Sequence, residues 1–367
     1  MKIGVLTFHC AHNYGAMLQT YATQKLLEAA GHQVEIIDYR PSYLTEPFKR
    51  LRLSRIRKTD GTFSLRHLLA EILLLPFRFV RYAAFDRFMK RRLNLTGRVY
   101  PDTFACTYDV IVFGSDQVWN IRQTGGSFDR MYFGDFKSGK GKCRYVADAV
   151  SLETDMLGEE HVQYLRQVLP GFDALSARER TIADWLSQYS SAAVMHIQDP
   201  VIQLDPVFWR ELAGQNPVRK PYLLLYSMMQ DDSIRPFAVR IAKERGLEVI
   251  EIKSVLEAKD ILRARQAVGV EDFVSLFASA SFVVTSSFHG TAFSIIFRKP
   301  FYCFSFGNSK DLRAKSLLES AGLSERMLPV GSEVPSCTDI DYTETEPLIE
   351  EMRARSASFM IDSITER

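Results

Sequence analysis

A histidine and several hydroxyl side chains follow an apolar run that ends near residue 285. Ser286 and Ser287 come first, His289 follows, and Gly290 and Thr291 begin a stretch with helical spacing. The N-terminus of a helix disfavours imidazolium, so this ring should be neutral and able to accept a proton near neutral pH. The hydroxyls and the free N–H groups of a first turn can bind a phosphate or a carboxylate. We therefore predict that His289 performs acid–base chemistry beside an anion site formed by the other four residues. A purely structural histidine is the alternative.

A second polar loop directly follows the apolar run at 109–113. It brings together the side chains of Ser115, Asp116, Gln117 and Trp119. Carboxylate and amide groups can hydrogen-bond the hydroxyls of a sugar while an aromatic ring stacks on its face. We predict an acceptor-sugar site here, with Asp116 as a base or as the group that orients a hydroxyl.

A third candidate is the turn after the apolar run at 2–7. Ligands of open α/β sheets bind beyond the carboxyl ends of the strands, where this turn would lie. Asn13 would cap the following helix, Gly15 would let a ligand approach the backbone, and Tyr14 would contact it. The turn lacks the GxGxxG pattern, so a dinucleotide is disfavoured. A plain capped turn is the other interpretation.

Other chemistries find little support in the sequence. There is no GxSxG elbow, and the five cysteines have no paired spacing. His9 and His12 are three residues apart but have no carboxylate near them in sequence, so we predict no metal site. No cofactor is expected.

The coarse pattern of the chain alternates between short apolar runs and helical spacing. A strand at 2–7, a helix at 14–30 and a strand at 33–38 predict a βαβ unit with a parallel pair. The same alternation recurs up to residue 304, so we predict an α/β protein with two doubly wound, Rossmann-like domains facing a cleft.

The polar, two-proline segment 215–221 is typical of a linker. We therefore expect an N-terminal domain at 1–210 on the acceptor side and a C-terminal domain at 218–340 on the donor side. A final helix at 345–367 would pack back on the N-terminal domain.

Composition limits the protein class. The 367 residues carry a net charge of +2 and 46% hydrophobic residues, as in ordinary globular proteins. The odd, dispersed cysteines indicate a reducing compartment. The N-terminus lacks the pattern of a secretory signal, and no apolar run is long enough for a membrane span. We expect a cytoplasmic protein, with a peripheral position on the inner face of the plasma membrane as an open alternative.

The segment 49–92 is strongly basic and also rich in apolar residues. It holds 13 Lys and Arg against three acids. Such a basic amphipathic insert can lie in a membrane interface, where cations meet anionic lipid. The alternative is a helix that packs on the core with a solvated basic face. Nucleic acid is not expected as a partner, because no known module pattern of stacking aromatics is present.

Taken together, these motifs resemble those of the polysaccharide pyruvyl transferase family, and the likeness spans nearly the whole chain. The stretches that carry it are the Asn13–Ala16 turn, Phe113–Asn120, Asp199-Pro200 with Trp209, Thr285–Phe293, and the later Arg313 with Leu317. The resemblance implies a two-domain, GT-B-like fold. It also implies transfer of pyruvate from phosphoenolpyruvate to two hydroxyls of a sugar as a cyclic ketal, with release of phosphate. The acceptor would be a surface polysaccharide or its lipid-linked precursor. The donor phosphate would lie against Gly290–Ala292, helped by Ser286, Ser287 and Arg313.

Two positions depart from the family pattern. Relatives often carry an arginine where this chain has Ser287, so another basic group must replace it. Asp148 lies in the segment where relatives have a Tyr-Ala-Ala-Ser-Phe-Gly stretch. Its side chain would put a carboxylate in the cleft, unless this loop has a different conformation from that of the relatives. Two other functions stay open: a nucleotide-sugar glycosyltransferase, and a non-catalytic glycan-binding relative.

Overall fold

Two parallel β-sheets form the framework of the chain in the computed structural model. The structure describes residues 1–50, 62–136, 141–215, 218–228, 232–262, 264–265, 267–333, 335 and 339–365. Residues 51–61 of the basic insert and 216–217 of the expected linker therefore lie outside the described residues.

The N-terminal sheet has seven strands, all parallel. They are β1 (Lys2–Leu6), β2 (Gln33–Tyr39), β3 (Leu95–Val99), β4 (Val110–Asp116), β5 (Arg144–Val150), β6 (Ala174–Ala177) and β7 (Val194–His196). Their order across the sheet is β3-β2-β1-β4-β5-β6-β7. The predicted parallel βαβ unit at the N-terminus is confirmed, since β1 pairs with β2 in parallel.

The second sheet has six strands and repeats the same winding. They are β8 (Tyr222–Ser227), β9 (Glu248–Lys253), β10 (Ala264–Arg265), β11 (Phe282–Thr285), β12 (Phe301–Ser305) and β13 (Met327–Pro329). Their order is β10-β9-β8-β11-β12-β13. Both sheets thus follow the doubly wound order 3-2-1-4-5-6, which confirms the predicted pair of Rossmann-like sheets and a GT-B-like arrangement. Winding reverses between β1 and β4 and between β8 and β11, where ligands of such sheets bind.

The helices connect these strands and cover the sheets. They are α1 (Tyr14–Ala29), α2 (Ser42–Thr45), α3 (Leu65–Arg92), α4 (Glu159–Val168), α5 (Arg180–Leu186), α6 (Pro200–Gln203), α7 (Pro206–Leu212), α8 (Arg235–Glu244), α9 (Val270–Ser279), α10 (Phe288–Ile296), α11 (Leu312–Ser320) and α12 (Tyr342–Thr365). None of the helices within the described ranges has the length and apolar character to cross a membrane.

Helix α1 joins the two halves. The Tyr14 hydroxyl donates to the carbonyl oxygen of Val268 at 2.9 Å, and its ring stacks on Phe273 at 4.3 Å between centroids. Further along the contact, the ring of Trp209 lies between Tyr21 and Phe293, at 5.8 and 5.1 Å. These buried aromatic contacts fix the loops at the carboxyl ends of the two sheets relative to each other.

The last helix, α12, contacts elements of the N-terminal sheet. Arg144 of β5 donates through Nη1 to the carbonyl oxygen of Ile364 at 3.1 Å. The Ser356 hydroxyl accepts from the backbone N–H of Gln198 at 2.9 Å. The chain therefore returns across the N-terminal sheet after completing the second one.

Candidate active site

The carboxyl ends of both sheets enclose a cavity of about 370 Å³. The loop after β1, the end of β4 and the segment 43–48 form one wall. The loops after β11 and β12, with the start of α11, form the other. A cavity at the winding reversals of both sheets is the expected place for a ligand.

His289 lies in the first turn of α10 and reaches this cavity. Ser287 caps the helix, accepting from the N–H of Gly290 at 3.3 Å. The imidazole packs against α1, since a Cβ added at Gly15 would lie only 2.1 Å from Nδ1. The side chain of His289 is 9% exposed, and Nε2 has no hydrogen-bond partner within the described chain. The nearest acidic oxygen is Oδ2 of Asp199, at 4.0 Å from Nε2.

The surroundings favour a neutral imidazole. Burial lowers the pKa of His289 below its usual value, and the positive charges of Arg178 and Arg313 act in the same direction. Asp199 and Asp116 oppose this shift without reversing it. A neutral ring can accept a proton, but Nε2 is itself buried, so a bound molecule can exchange a proton with it only after the ring turns toward the cavity.

Arg178 is the centre of a buried ionic cluster behind the cavity. Its guanidinium contacts Asp199 Oδ2 at 2.8 Å, Asp116 Oδ1 at 3.2 Å and Glu179 Oε1 at 3.4 Å. The guanidinium also lies 5.1 Å from the centre of the Phe288 ring. Burial opposes ionisation of Asp116, but the charges of Arg178 and its other basic neighbours hold its pKa below the usual value. Asp116 is therefore a carboxylate whose position is fixed by Arg178.

Two neighbouring carboxyl groups in this region, Asp199 and Asp148, have different surroundings. Asp199 accepts from Arg178, from the Ser115 hydroxyl at 3.3 Å and from the N–H of Val201 at 3.0 Å. Asp148 is fully buried, and its carboxyl oxygens accept no well-formed hydrogen bond within the described residues; the nearby Gln203 side chain favours ionisation but does not offset the burial. Burial, reinforced by the charge of Asp199, raises the pKa of Asp148 to about 8. Asp148 is therefore protonated at neutral pH.

Two cations face the cavity from the segment that begins α11. Lys310 is exposed and Arg313 is half-buried, and both line the cavity wall. Burial and the charge of Arg178 lower the pKa of Arg313. An arginine still keeps its charge at neutral pH. Neither side chain forms a hydrogen bond or ion pair with a residue in the described ranges, although the charges of Glu179, Asp116 and Glu153 act on Arg313 from a distance. Both cations are therefore available to an anion.

Seven of the residues predicted from sequence to form a site line this one cavity. They are Asn13, Asp116, Gln117, Ser286, Ser287, His289 and Arg313. They come from four separate stretches of sequence, and the sheet topology alone brings them together.

Three predicted substrate contacts are wrong because the side chains are buried in the protein. Trp119 is 0% exposed and donates through Nε1 to the carbonyl oxygen of Tyr132 at 2.9 Å, so it cannot stack on a sugar. The Tyr14 side chain is buried in the contact between the two halves, where its hydroxyl donates to the carbonyl oxygen of Val268. Ser115 is fully buried and donates to the carbonyl oxygen of Ala149 at 2.8 Å.

Three predicted backbone contacts also need correction. The N–H of Gly290 donates to the Ser287 hydroxyl, and both donors of Thr291 bond the Ser287 carbonyl oxygen. These groups are therefore not open to an anion. Gly15 does not face the cavity either, since the His289 ring occupies the space beside it.

The sequence analysis missed Arg178, Lys310 and the role of Asp199. Arg178 directly follows β6, a strand of four residues in which Leu175 is the one large apolar side chain, so the apolar signal is weak. Asp148 lies on β5 behind the cavity and does not line it, so its carboxyl group does not enter the cleft.

The two histidines considered for a metal have separate acidic partners. His9 contacts Asp38 at 2.8 Å and His12 contacts Asp86 at 3.2 Å. Across the described ranges, no group of three His, Cys, Asp or Glu side chains is arranged to hold a metal ion.

Comparison with known proteins identifies similar folds and the family of the chain. Among solved structures, the chain is similar to the UDP-GlcNAc 2-epimerase from Neisseria meningitidis bound to UDP-GlcNAc, with 11% identity over all of both chains and a TM-score of 0.51. A glycosyltransferase from Streptomyces sp. SF2575 matches at 14% identity, covering 98% of this chain and 96% of its own, with a TM-score of 0.40. No curated protein sequence matches significantly. The family model for polysaccharide pyruvyl transferase matches residues 13–308, which include most of the cavity wall but neither Lys310 nor Arg313. The chain therefore belongs to the polysaccharide pyruvyl transferase family.

Proposed function

We propose that the protein transfers the pyruvyl group of phosphoenolpyruvate to two hydroxyls of a sugar. The product is a cyclic ketal on a surface polysaccharide or its lipid-linked precursor, and phosphate is released. The observation that carries the proposal is the pairing of an unpartnered imidazole at His289 with the available guanidinium of Arg313 in one cavity. Phosphoenolpyruvate is a cytosolic metabolite, so the reaction would take place in the cytosol.

The donor has a carboxylate and a phosphate, and the cavity wall offers two cations. Arg313 can bind one anionic group through two N–H donors, and Lys310 can add a point charge. The Ser286 and Ser287 hydroxyls line the same wall. Arg313 thereby supplies the positive charge that relatives carry at the position of Ser287.

Donor binding should change the proton state of His289. A bound phosphate dianion beside the neutral ring raises its pKa and favours imidazolium. The proton can then move to the methylene carbon of the donor, which gives oxocarbenium character to C2. One sugar hydroxyl attacks C2, the C2–O bond to phosphate breaks, and the second hydroxyl closes the ketal. Each of the two sugar hydroxyls loses one proton as it forms its bond to C2. One of these protons returns to His289, and the other leaves with the phosphate.

The acceptor would lie between Asp116 and the segment 43–48. Asp116 can accept a hydrogen bond from an attacking hydroxyl, with Arg178 holding the carboxylate in place. The Gln117 side chain can orient a second hydroxyl. Phe48 provides an aromatic surface in the wall, in place of the buried Trp119.

The test is the product released from mixtures of donor and acceptor glycan. Release of inorganic phosphate from phosphoenolpyruvate, dependent on the glycan, supports the proposal. Release of UDP or GDP from a sugar nucleotide would identify a glycosyltransferase instead. Ligand binding without any turnover would identify a glycan-binding relative.

Two variants with matched controls connect the turnover to the site. His289→Gln should lose about 10²–10⁴-fold in turnover, the usual contribution of acid–base catalysis, while the exposed His67→Gln keeps full activity. Arg313→Gln should raise the KM for phosphoenolpyruvate, whereas Lys315→Gln, two residues further and exposed, should not. A folded His289→Gln with wild-type turnover would remove the histidine from the mechanism.

A further inference from the structure

Helix α3 exposes a continuous apolar surface. Six large side chains on it are between 48% and 62% exposed: Leu65, Leu69, Ile72, Leu73, Phe79 and Val80. At about 100° per residue they project within roughly 120° of one another around the helix axis. We call these six residues the outer stripe.

The opposite face of α3 is already packed on the protein. The side chains buried there are Leu74, Tyr82, Phe85, Phe88 and Met89. The helix therefore already has a core-facing side, and the exposed stripe is a second apolar surface. Helix α3 therefore packs on the core, as the second alternative for the insert required, but the solvent-facing surface of its first four turns is largely apolar rather than basic.

The same outer face becomes basic toward the end of the helix. Arg87, Lys90 and Arg91 are all exposed and fall within the angular range of the stripe. We call these three residues the basic end. Both acids of α3 lie outside this range and have partners: Glu71 pairs with Arg78 at 2.7 Å and Asp86 with His12 at 3.2 Å. Asp86 is close enough to Lys90 for their charges to interact, so Arg87 and Arg91 carry most of the positive charge of the basic end.

We propose that this face of α3 docks on the surface of an anionic membrane. The stripe would enter the boundary between head groups and acyl chains, and the basic end would meet anionic head groups. A bilayer fits better than a folded partner because the surface is a single apolar band with one cationic end. A protein interface usually combines an apolar centre with a polar rim on all sides.

The helix that carries the docking face also adjoins the cavity wall, but through its inner face. The ring of Phe48, which lines the cavity, lies 6.3 Å from the ring of Tyr82 on α3. The guanidinium of Arg50 lies over the ring of Phe79, a member of the stripe, at 5.0 Å. If the proposed function holds, a membrane-anchored lipid would bring its sugar to a cavity on the inner side of this helix. The docking itself does not depend on the proposed function.

Sedimentation with vesicles tests the docking directly. At low salt, the full chain should sediment with phosphatidylcholine vesicles that contain phosphatidylglycerol, and at least tenfold less with phosphatidylcholine alone. Replacing the basic end (Arg87→Gln, Lys90→Gln and Arg91→Gln together) should weaken binding by about 100-fold, since each surface cation contributes about fivefold. Leu69→Gln with Leu73→Gln should abolish binding; both side chains are exposed, so the fold should persist.

A matched triple variant elsewhere controls for net charge. Arg240→Gln, Lys243→Gln and Lys315→Gln together remove the same charge from other exposed positions and should leave vesicle binding unchanged. A wild-type chain that stays in the supernatant at low salt would overturn the proposal. So would a dimer in size-exclusion chromatography that the leucine variant dissociates, because the stripe would then be covered by a second copy.

Turnover with a water-soluble acceptor separates this proposal from the previous one. The docking variants should keep full turnover on such an acceptor while losing vesicle binding. A chain that binds vesicles but releases no phosphate would retain the docking surface and lose the proposed reaction.

Discussion

Replacing Asp148 by asparagine should stabilise the protein in a way that depends on pH. The carboxyl group has a pKa of 3.8 in its ordinary state and about 8 in the fold, because it is buried beside the charged Asp199. Between these two pH values the folded state binds a proton that the unfolded state has released, so stability falls as pH rises. Each pH unit costs about 1.4 kcal/mol, which amounts to about 4 kcal/mol near pH 7 and almost nothing near pH 4.

Asparagine has nearly the same shape and never ionises, so Asp148→Asn removes this cost. The stability difference between variant and wild type should therefore grow as pH rises from about 4 to about 8, with a slope of up to roughly 1.4 kcal/mol per unit. Urea unfolding curves of both proteins at several pH values measure it. Any fixed cost of burying the amide cancels in the slope.

Asp362→Asn, which changes an exposed carboxyl group on α12, is the matched control and should give a flat difference. A flat difference for Asp148→Asn as well would refute the reasoning. It would mean that the carboxyl ionises freely in the folded protein, and the charge pattern behind His289 would then be different.

Two further changes test the geometry of the site. Gly15→Ala should displace the His289 ring and lower turnover roughly 100-fold while the protein stays folded, because a small displacement of a reacting group has an effect of that size. The control is Gly97→Ala, at a glycine with open space beside it, which should keep full activity. Equal activity of the two variants would show that the position of the ring is unimportant. Arg178→Met should lower the free energy of unfolding by about 3–5 kcal/mol, since it leaves buried carboxylates without their counter-charge. Urea unfolding measures this loss. A loss below about 1 kcal/mol would contradict a central role for Arg178.

Local sequence patterns predicted the framework well. Strands such as β1, β4 and β11 are apolar runs bounded by polar residues, and the doubly wound class follows from their alternation with helices. The residues after these strands could be placed near a ligand for the same reason. His289 and Asp116 both lie in the cavity wall because each is at the carboxyl end of a strand next to a reversal of winding.

Other features depend on contacts far apart in sequence. A run such as Gln117–Trp119 does not show which side chain turns inward, and Trp119 packs on Phe133 instead of facing the cavity. Gly15 was expected to make room for a ligand, but it makes room for a histidine 274 residues away in sequence. In α3 both faces are apolar, so only the fold shows which face is buried.

The most direct test of the central claim is calorimetry of phosphoenolpyruvate binding in two buffers of different ionisation enthalpy. At about pH 7.5 we predict that the wild-type protein takes up a proton as the donor binds, because the anion converts the neutral His289 to imidazolium. The uptake should vanish in His289→Gln. Absence of binding, or a heat of binding that is the same in both buffers, would contradict the account.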